Sequence, residues 1–336
     1  MQDFTITSPQ ELVAQIPAIL GFCPQQSLVI ATVAGGRLGA TMRVDLSSTI
    51  TEDIDQLADL AARQEADSVL AVIIDTTETD RRPLIAALSD AMTSLSITVQ
   101  GAVSVPEIAA GATWQCIQDE CGASGIIDDP KATPMALAAV LAGRPIFRDR
   151  AELVALIEPD PAVAAAVAPL LSRHAADLNG EDSPRRSTEA ILTAIDRLED
   201  RRSNLDPEQI AALAAPLTDV RVRDMLFATA LSTRAAAAQR LWLHLARALP
   251  PRHRAEALCL LGYGAYSCGD GTLAGVAFAA ALADHDGHSL ARLLDGALQA
   301  GTAPEVLHTA AESSYRIAEA FGVALPARRT QTARPA

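Results

Sequence analysis

The run Val69-Leu70-Ala71-Val72-Ile73-Ile74 constrains this chain more than any other stretch. Six apolar residues, mostly β-branched, between two helical patterns read as a strand buried on both faces. The run is far too short to span a bilayer. Before it, Ile54, Leu57, Ala58 and Ala61 recur at helical spacing,. After it, Leu84, Ala87, Leu88 and Ala91 do the same, and Ile97 to Val105 reads as a second strand. Strand, helix, strand, helix, strand predicts a sheet with parallel members and helical crossovers.

An antiparallel hairpin opens this region. Ser27–Val33 and Leu38–Leu46 are the strands and Ala34-Gly35-Gly36 the turn,. Ser8-Pro9-Gln10-Glu11 is a capping box with proline at the first helical position, and Pro17 is expected to stop the helix it starts,. Thr49 and Glu52 form a second box, and Asp80 is a cap for the next helix. Thr113–Ile117 is expected as an edge strand.

From Thr133 the pattern turns to helix upon helix. Starts are expected at Thr133-Pro134, Asp149, Asp160-Pro161, Asp206-Pro207, Asp219, Thr233, Pro251, Asp270 and Pro304,. Leu258, Leu261, Gly262, Ala274, Phe278 and Ala281 fall where a tetratricopeptide unit has its helix-contact residues, although Ala265 and Asp286 depart from that pattern,. The expected architecture is therefore an α/β N-terminal domain, a mixed sheet with helices, over 1–130. A helical connector over 131–204 follows, with a flexible joint near 178–184. An all-α, tetratricopeptide-like helical array over 205–325 and a disordered tail over 326–336 complete it.

Composition narrows the function classes. The net charge is −14, of which residues 1–150 carry −10. An acidic first half repels a phosphate backbone, so no nucleic-acid partner is expected. Aromatic residues are only 3% of the chain, so its cores must be packed with Ala, Leu, Val and Ile. Five cysteines fit a reducing compartment better than a disulfide framework,. With no basic segment and apolar run after Met-Gln-Asp-Phe-Thr, the cytoplasm is the expected location. No membrane partner is expected.

Several blocks together resemble a known family. They are Pro17-Ala18-Ile19-Leu20-Gly21-Phe22 with Ser27-Leu28-Val29, then Arg43-Val44-Asp45-Leu46, then Trp114 with Cys116 and Cys121. Ala138-Ala139-Val140-Leu141-Ala142-Gly143-Arg144, Val222-Arg223-Asp224, Leu241-Trp242 and Gly269-Asp270-Gly271-Thr272-Leu273-Ala274 follow. This pattern resembles the actinobacterial family called domain of unknown function 4192. In that family paired cysteines are followed by proline near position 121, where this chain has Cys121-Gly122-Ala123. The resemblance implies no activity.

Candidate site residues come from the residues themselves. Arg43 and Asp45 alternate on one strand and share a face. They read either as a ligand-facing pair or, more simply, as a salt bridge tying the hairpin to the helix at 49–65. Asp75 lies just past the carboxyl end of the central strand, the edge where open α/β sheets bind ligands, or else it only shapes the turn. Cys116 and Cys121 lack the further ligands that zinc needs, so no metal is expected; two free thiols or a reducible disulfide remain. Gly35-Gly36-Arg37-Leu38-Gly39 and Gly269-Asp270-Gly271 both fail the phosphate-loop context, and no nucleophile elbow is present. His285 and His288 have a metal-compatible spacing but no third ligand. No cofactor is expected. The leading expectation is a non-enzymatic protein-interaction or regulatory module with a protein partner. The alternative is a small-molecule binder or enzyme with its pocket at Arg43, Asp45 and Asp75.

Overall fold

The computed structural model describes residues 8–47, 49–77, 79–118, 121–141, 143–176, 178, 180–199 and 205–329. The chain divides into two compact units, Met1–Leu153 and Val154–Ala336. The expected division at 130 therefore shifts toward the C-terminus. The first helix of the expected connector, α4 (Pro134–Leu141), packs on α1 (Pro9–Leu20) within the first unit.

In the first unit, α1 starts where the Ser8 hydroxyl accepts from the Glu11 N–H at 3.4 Å. It does not stop at Pro17 but runs through it to Leu20, and Gly21 ends it in the left-handed conformation at φ 76°,. Nearly all residues from Leu12 to Leu20 are buried, and that burial outweighs the one backbone bond proline removes,. Strands β1 (Ser27–Ala34) and β2 (Arg37–Asp45) form the hairpin. Its Gly35-Gly36 turn has positive φ at both residues, as a type I′ turn requires,.

Helix α2 (Ile50–Arg63), β3 (Ser68–Ile74), α3 (Arg82–Ser94) and β4 (Thr98–Val105) follow. The Thr49 box does not form. Thr49 is not extended (φ −101°, ψ 7°), and its hydroxyl pairs with Ser47 Oγ at 3.1 Å instead of capping α2,. Asp80 accepts from the Arg82 N–H at 3.1 Å, but it lies two residues before the helix, and Arg81 takes the cap position without a side-chain bond. The sheet order is β2-β1-β3-β4-β5-β6. β1 is antiparallel to both β2 and β3, and β3 is parallel to β4. Strands β2, β3 and β4 thus all run the same way, with β1 reversed between two of them. Residues Leu28, Ile30, Val69, Ala71 and Ile73 meet Ile54 and Leu57 of α2 and Leu88 and Met92 of α3 in one core cluster. Val29, Val72 and Ile74, which alternate to the other face, are buried as well. The apolar run at 69–74 is covered on both sides, as its composition requires.

β5 (Thr113–Cys116) is not the edge. β6 (Ser124–Ile126) pairs outside it, with the Trp114 indole laid so close over Gly125 that a Cβ there would sit 2.8 Å from Nε1. A three-residue strand centred on glycine carries no periodic signal.

Helix α5 (Arg150–Ala155) leads into a second unit of helices only, besides isolated bridges, among the described residues: α6 (Pro161–Ala176), α7 (Ser183–Glu199), α8 (Pro207–Ala214), α9 (Val220–Leu226), α10 (Ala235–Ala248), α11 (Pro251–Ser267), α12 (Gly271–Asp284), α13 (Ser289–Gln299) and α14 (Pro304–Phe321). α7 begins within the expected 178–184 joint; Asp177 and Asn179 lie outside the described residues. α10 starts at Ala235, two residues after the expected Thr233. Consecutive helices α10 to α13 pack on one another, with Gly262 of α11 against the Phe278 ring of α12. α14 then returns to pack on α9 and α11, which closes the unit instead of extending an array. The expected tail is anchored at its start. Thr233 N donates to Ala327 O at 3.1 Å and Arg329 N to Leu231 O at 2.9 Å; residues 330–336 lie outside the description. No helix among the described residues is long and apolar enough to cross a membrane.

Candidate functional site

The carboxyl ends of β2, β3 and β4 lie along one end of the sheet. Register places Ser27, the first residue of β1, opposite both Asp45 and Ile74. The Asp75 N–H donates to Val105 O at 2.9 Å, which brings the end of β4 to the same edge. Arg43, Asp45 and Asp75 therefore share one end of one sheet, the ligand-binding edge of open α/β folds.

They do not form one constellation. Arg43 donates from Nε to Ser27 Oγ at 2.8 Å, forms an ion pair with Asp45, and has its guanidinium carbon 5.9 Å from the centroid of the Phe22 ring. The pair thus fastens β2 to β1 and to the turn before it, and not to α2 as the simpler expectation had it. The side-chain alternation that puts residues 43 and 45 on one face also turns them away from the face where α2 packs.

Asp75 makes a second cluster. Its Oδ1 accepts from the Thr77 N–H at 2.8 Å and the Thr77 hydroxyl at 2.6 Å, while Oδ2 accepts from Arg81 Nε at 2.6 Å. Its side chain is only 3% exposed. Burial pushes its carboxyl up, but the two Thr77 bonds and the Arg81 charge outweigh that and hold it below the usual carboxylate range,. A carboxylate so held is a poor general base at neutral pH.

Between the clusters lies Gln26, at φ 42°. Its side-chain oxygen accepts from the Thr76 N–H at 3.0 Å and its carbonyl from the Leu46 N–H at 2.8 Å. Left-handed backbone in a residue other than glycine is strained, and here it stitches together the exits of β2 and β3. The preceding turn is pinned too. Cys23 N donates to Phe147 O at 3.0 Å, and Phe147 N to Gly21 O at 2.8 Å. Cys23 Sγ lies 3.6 Å from Ile108 O, and burial, with Glu107 nearby, pushes its thiol up.

Sequence reasoning missed Gln26, Ser27, Thr77 and Arg81. The six-residue spacing from Asp75 to Arg81 was the available signal, since it spans one short turn into a helix. Nothing in Gln25-Gln26 marks a left-handed residue. The other candidates fall elsewhere. His288 Nδ1 accepts from Ala291 N at 3.1 Å and so caps α13, while Nε2 lies 3.2 Å from Glu256 Oε2. The His285 ring meets the His288 ring edge-on, with centroids 5.7 Å apart. Among the described residues no group of three or more His, Cys, Asp or Glu side chains is placed to hold a metal.

A family model described as domain of unknown function (DUF4192) matches residues 9–305. The chain belongs to that family. No curated protein and no solved structure matches it. The DUF4192 match takes in the whole sheet and both clusters at its end, and it continues through α13 to the first turn of α14.

Proposed function

We propose that this DUF4192 chain is a non-enzymatic protein-interaction or regulatory module, acting in the cytoplasm on a protein partner. The observation that carries the reading is the state of the charged groups at the sheet end. Arg43 is held by Ser27 and Asp45, and Asp75 by Thr77 and Arg81, so neither cluster presents an unengaged base beside a nucleophile,. The acidic net charge argues against nucleic acid,. Within the helical unit, the close crossing of α11 and α12 at Gly262 and Phe278 supports a tetratricopeptide-like pair, a unit suited to holding peptides,. Leu293 of α13 and Val306 of α14 stand 68% and 60% exposed and are the apolar contacts such a partner would use,.

The test is capture of a stoichiometric partner by the full chain, compared with a Leu293→Glu, Val306→Glu variant of unchanged stability. Loss of the partner in that variant alone is expected. A partner retained equally by both forms would remove it from these helices.

One observation favours the small-molecule alternative: the strained Gln26 sits at the ligand-binding edge of the sheet,. A metabolite that raises the melting temperature of the full chain but not of its Arg43→Ala variant would establish that reading instead.

A further inference from the structure

The helical unit carries a cleft of about 310 Å³, at the lower end of the size range of small-molecule sites,. One wall is the start of α6, with Pro159, Pro161 and three alanines of the first turns. The other is the turn from α10 to α11, with Leu249, Pro250 and Pro251. Arg254 and Asp284 complete the lining. Leu293 and Val306, the partner contacts proposed above, are not part of it.

The two walls are tied to each other. The Asp160 N–H donates to Arg247 O at 2.7 Å. Arg254 donates from Nη2 to Ile157 O at 2.6 Å, before α6, and from Nε to Ala246 O at 2.8 Å, in α10. The walls therefore cannot close on the space between them. Nor can their side chains fill it. Four prolines and three alanines line the cleft, and neither residue type has rotamers that could swing into the gap,. The cleft is preformed, so an occupant meets it without a cost of reorganisation.

Its polar groups are a buried pair. Asp284 Oδ2 accepts from Arg254 Nη1 at 2.5 Å. Asp284 Oδ1 accepts from no protein group among the described residues. The pair is neutral as a whole and leaves one acceptor over. A carboxylate ligand would face that oxygen's like charge, and an ammonium would bring a second cation beside the guanidinium. A neutral hydroxyl or amide N–H satisfies the oxygen without either penalty.

We propose that this cleft binds a compact, uncharged ring compound bearing one hydroxyl or amide N–H. The ring lies between the proline walls, and the donor bonds to Asp284 Oδ1. Rigid apolar walls reward a rigid apolar body, and the single polar group fixes its orientation.

The experiment titrates the full chain with benzyl alcohol by ligand-observed NMR, in parallel with toluene, benzylamine and benzoate. Saturable one-to-one binding of benzyl alcohol is expected. It should be about tenfold tighter than toluene, the worth of one hydrogen bond to a charged group. Benzylamine and benzoate should both bind more weakly than benzyl alcohol. Ala168→Trp and Ala165→Phe, at exposed positions of α6, each put a ring into the cleft. Either variant should lose benzyl alcohol binding while keeping its helical content, so one that folds suffices. The Arg254→Met, Asp284→Leu pair keeps the walls and removes the polar group, and should bring benzyl alcohol and toluene to equal affinity. No saturable binding of benzyl alcohol, binding retained by a folded ring-filled variant, or tighter binding of benzylamine or benzoate would overturn the assignment.

Discussion

The two units of this chain close their polar clusters in different ways. In the sheet unit the partners are close in sequence: Arg43 with Asp45, and Asp75 with Thr77 and Arg81. In the helical unit the most buried ones draw partners from far apart, although exposed local pairs such as Arg221 with Asp219 occur there too. Arg254 donates from Nε to Ala246 O at 2.8 Å, from Nη2 to Ile157 O at 2.6 Å, and forms an ion pair with Asp284 at 2.5 Å. Glu256 meets His288, and the Ser314 hydroxyl reaches Asp224 O. A polar cluster closed within one turn shapes a loop that the sheet already positions. A cluster closed between helices holds those helices together. Local clusters should therefore be cheap to remove, and distant ones costly.

The hardest test of that contrast is Arg254→Ala. It leaves Asp284 and two backbone carbonyls without their donor in a largely dry place, at a cost of about 3–5 kcal/mol. Chemical denaturation of the full chain checks it, followed through Trp242 in the helical unit. A lysine should not rescue, because one ammonium cannot serve three acceptors on different elements in the guanidinium's planar spread. Replacing both partners, Arg254→Met with Asp284→Leu, should recover much of the loss. A cost below about 1 kcal/mol, the range of an exposed pair, would break the comparison.

Next in size is Gly262→Ala. Its Cβ would lie 2.4 Å from Phe278 Cε1, inside a core where the ring has no exposed surface. Overpacking of this kind costs about 1–3 kcal/mol. Phe278→Leu loses ring contacts on its own, but in combination it should relieve part of the Gly262→Ala penalty. A double-mutant cycle that shows strict additivity would mean the two helices adjust freely and the crossing is not tight.

Asp75→Asn tests the local side. Asparagine keeps an acceptor for Thr77 and loses the charge opposite Arg81, so the expected cost is about 1–2 kcal/mol, less than at Arg254. The carboxyl of Asp75 is held below its unfolded value. A lowered folded pKa contributes stability that is fully present above the unfolded pKa, about 4, and is lost as pH falls through the folded one. The unmutated chain should therefore lose stability relative to Asp75→Asn on acidification below about pH 4, and the two denaturation curves should converge. Parallel curves down to the lowest pH would show that the charge of Asp75 contributes nothing.

The same contrast explains what could be read from the sequence. The run at 69–74 and the helical spacings around it gave the crossovers correctly, because burial on both faces leaves a compositional mark. The Gly35-Gly36 turn was legible because its backbone demands glycine. β6 was not, since Ser-Gly-Ile has no pattern of its own and is a strand only because β5 needs a neighbour. Pro17 misled because a local breaking rule ignores how thoroughly α1 is packed. Arg43, Asp45 and Asp75 could be placed at one sheet end, but not their partners. The donors that engage them depend on a left-handed Gln26 and on the exact turn into α3.

The smallest expected effect lies at Arg43 and Asp45, and it sharpens the comparison within the sheet unit itself. Asp45 is 73% exposed on its side-chain surface, whereas Arg43 is 15% exposed, lying against Phe22 and donating to buried Ser27. The pair is therefore asymmetric. Asp45→Ala removes a solvated charge and should change stability by less than about 0.5 kcal/mol. Arg43→Ala also strips the aliphatic stem and the Ser27 bond, and should cost about 1 kcal/mol. Raising salt to about 1 M shortens the screening length to about 3 Å and should erase the Asp45 effect while leaving most of the Arg43 effect. Equal losses for the two substitutions, both abolished by salt, would mean that the ion pair alone fastens β2 to β1 and that Ser27 and Phe22 contribute nothing to it.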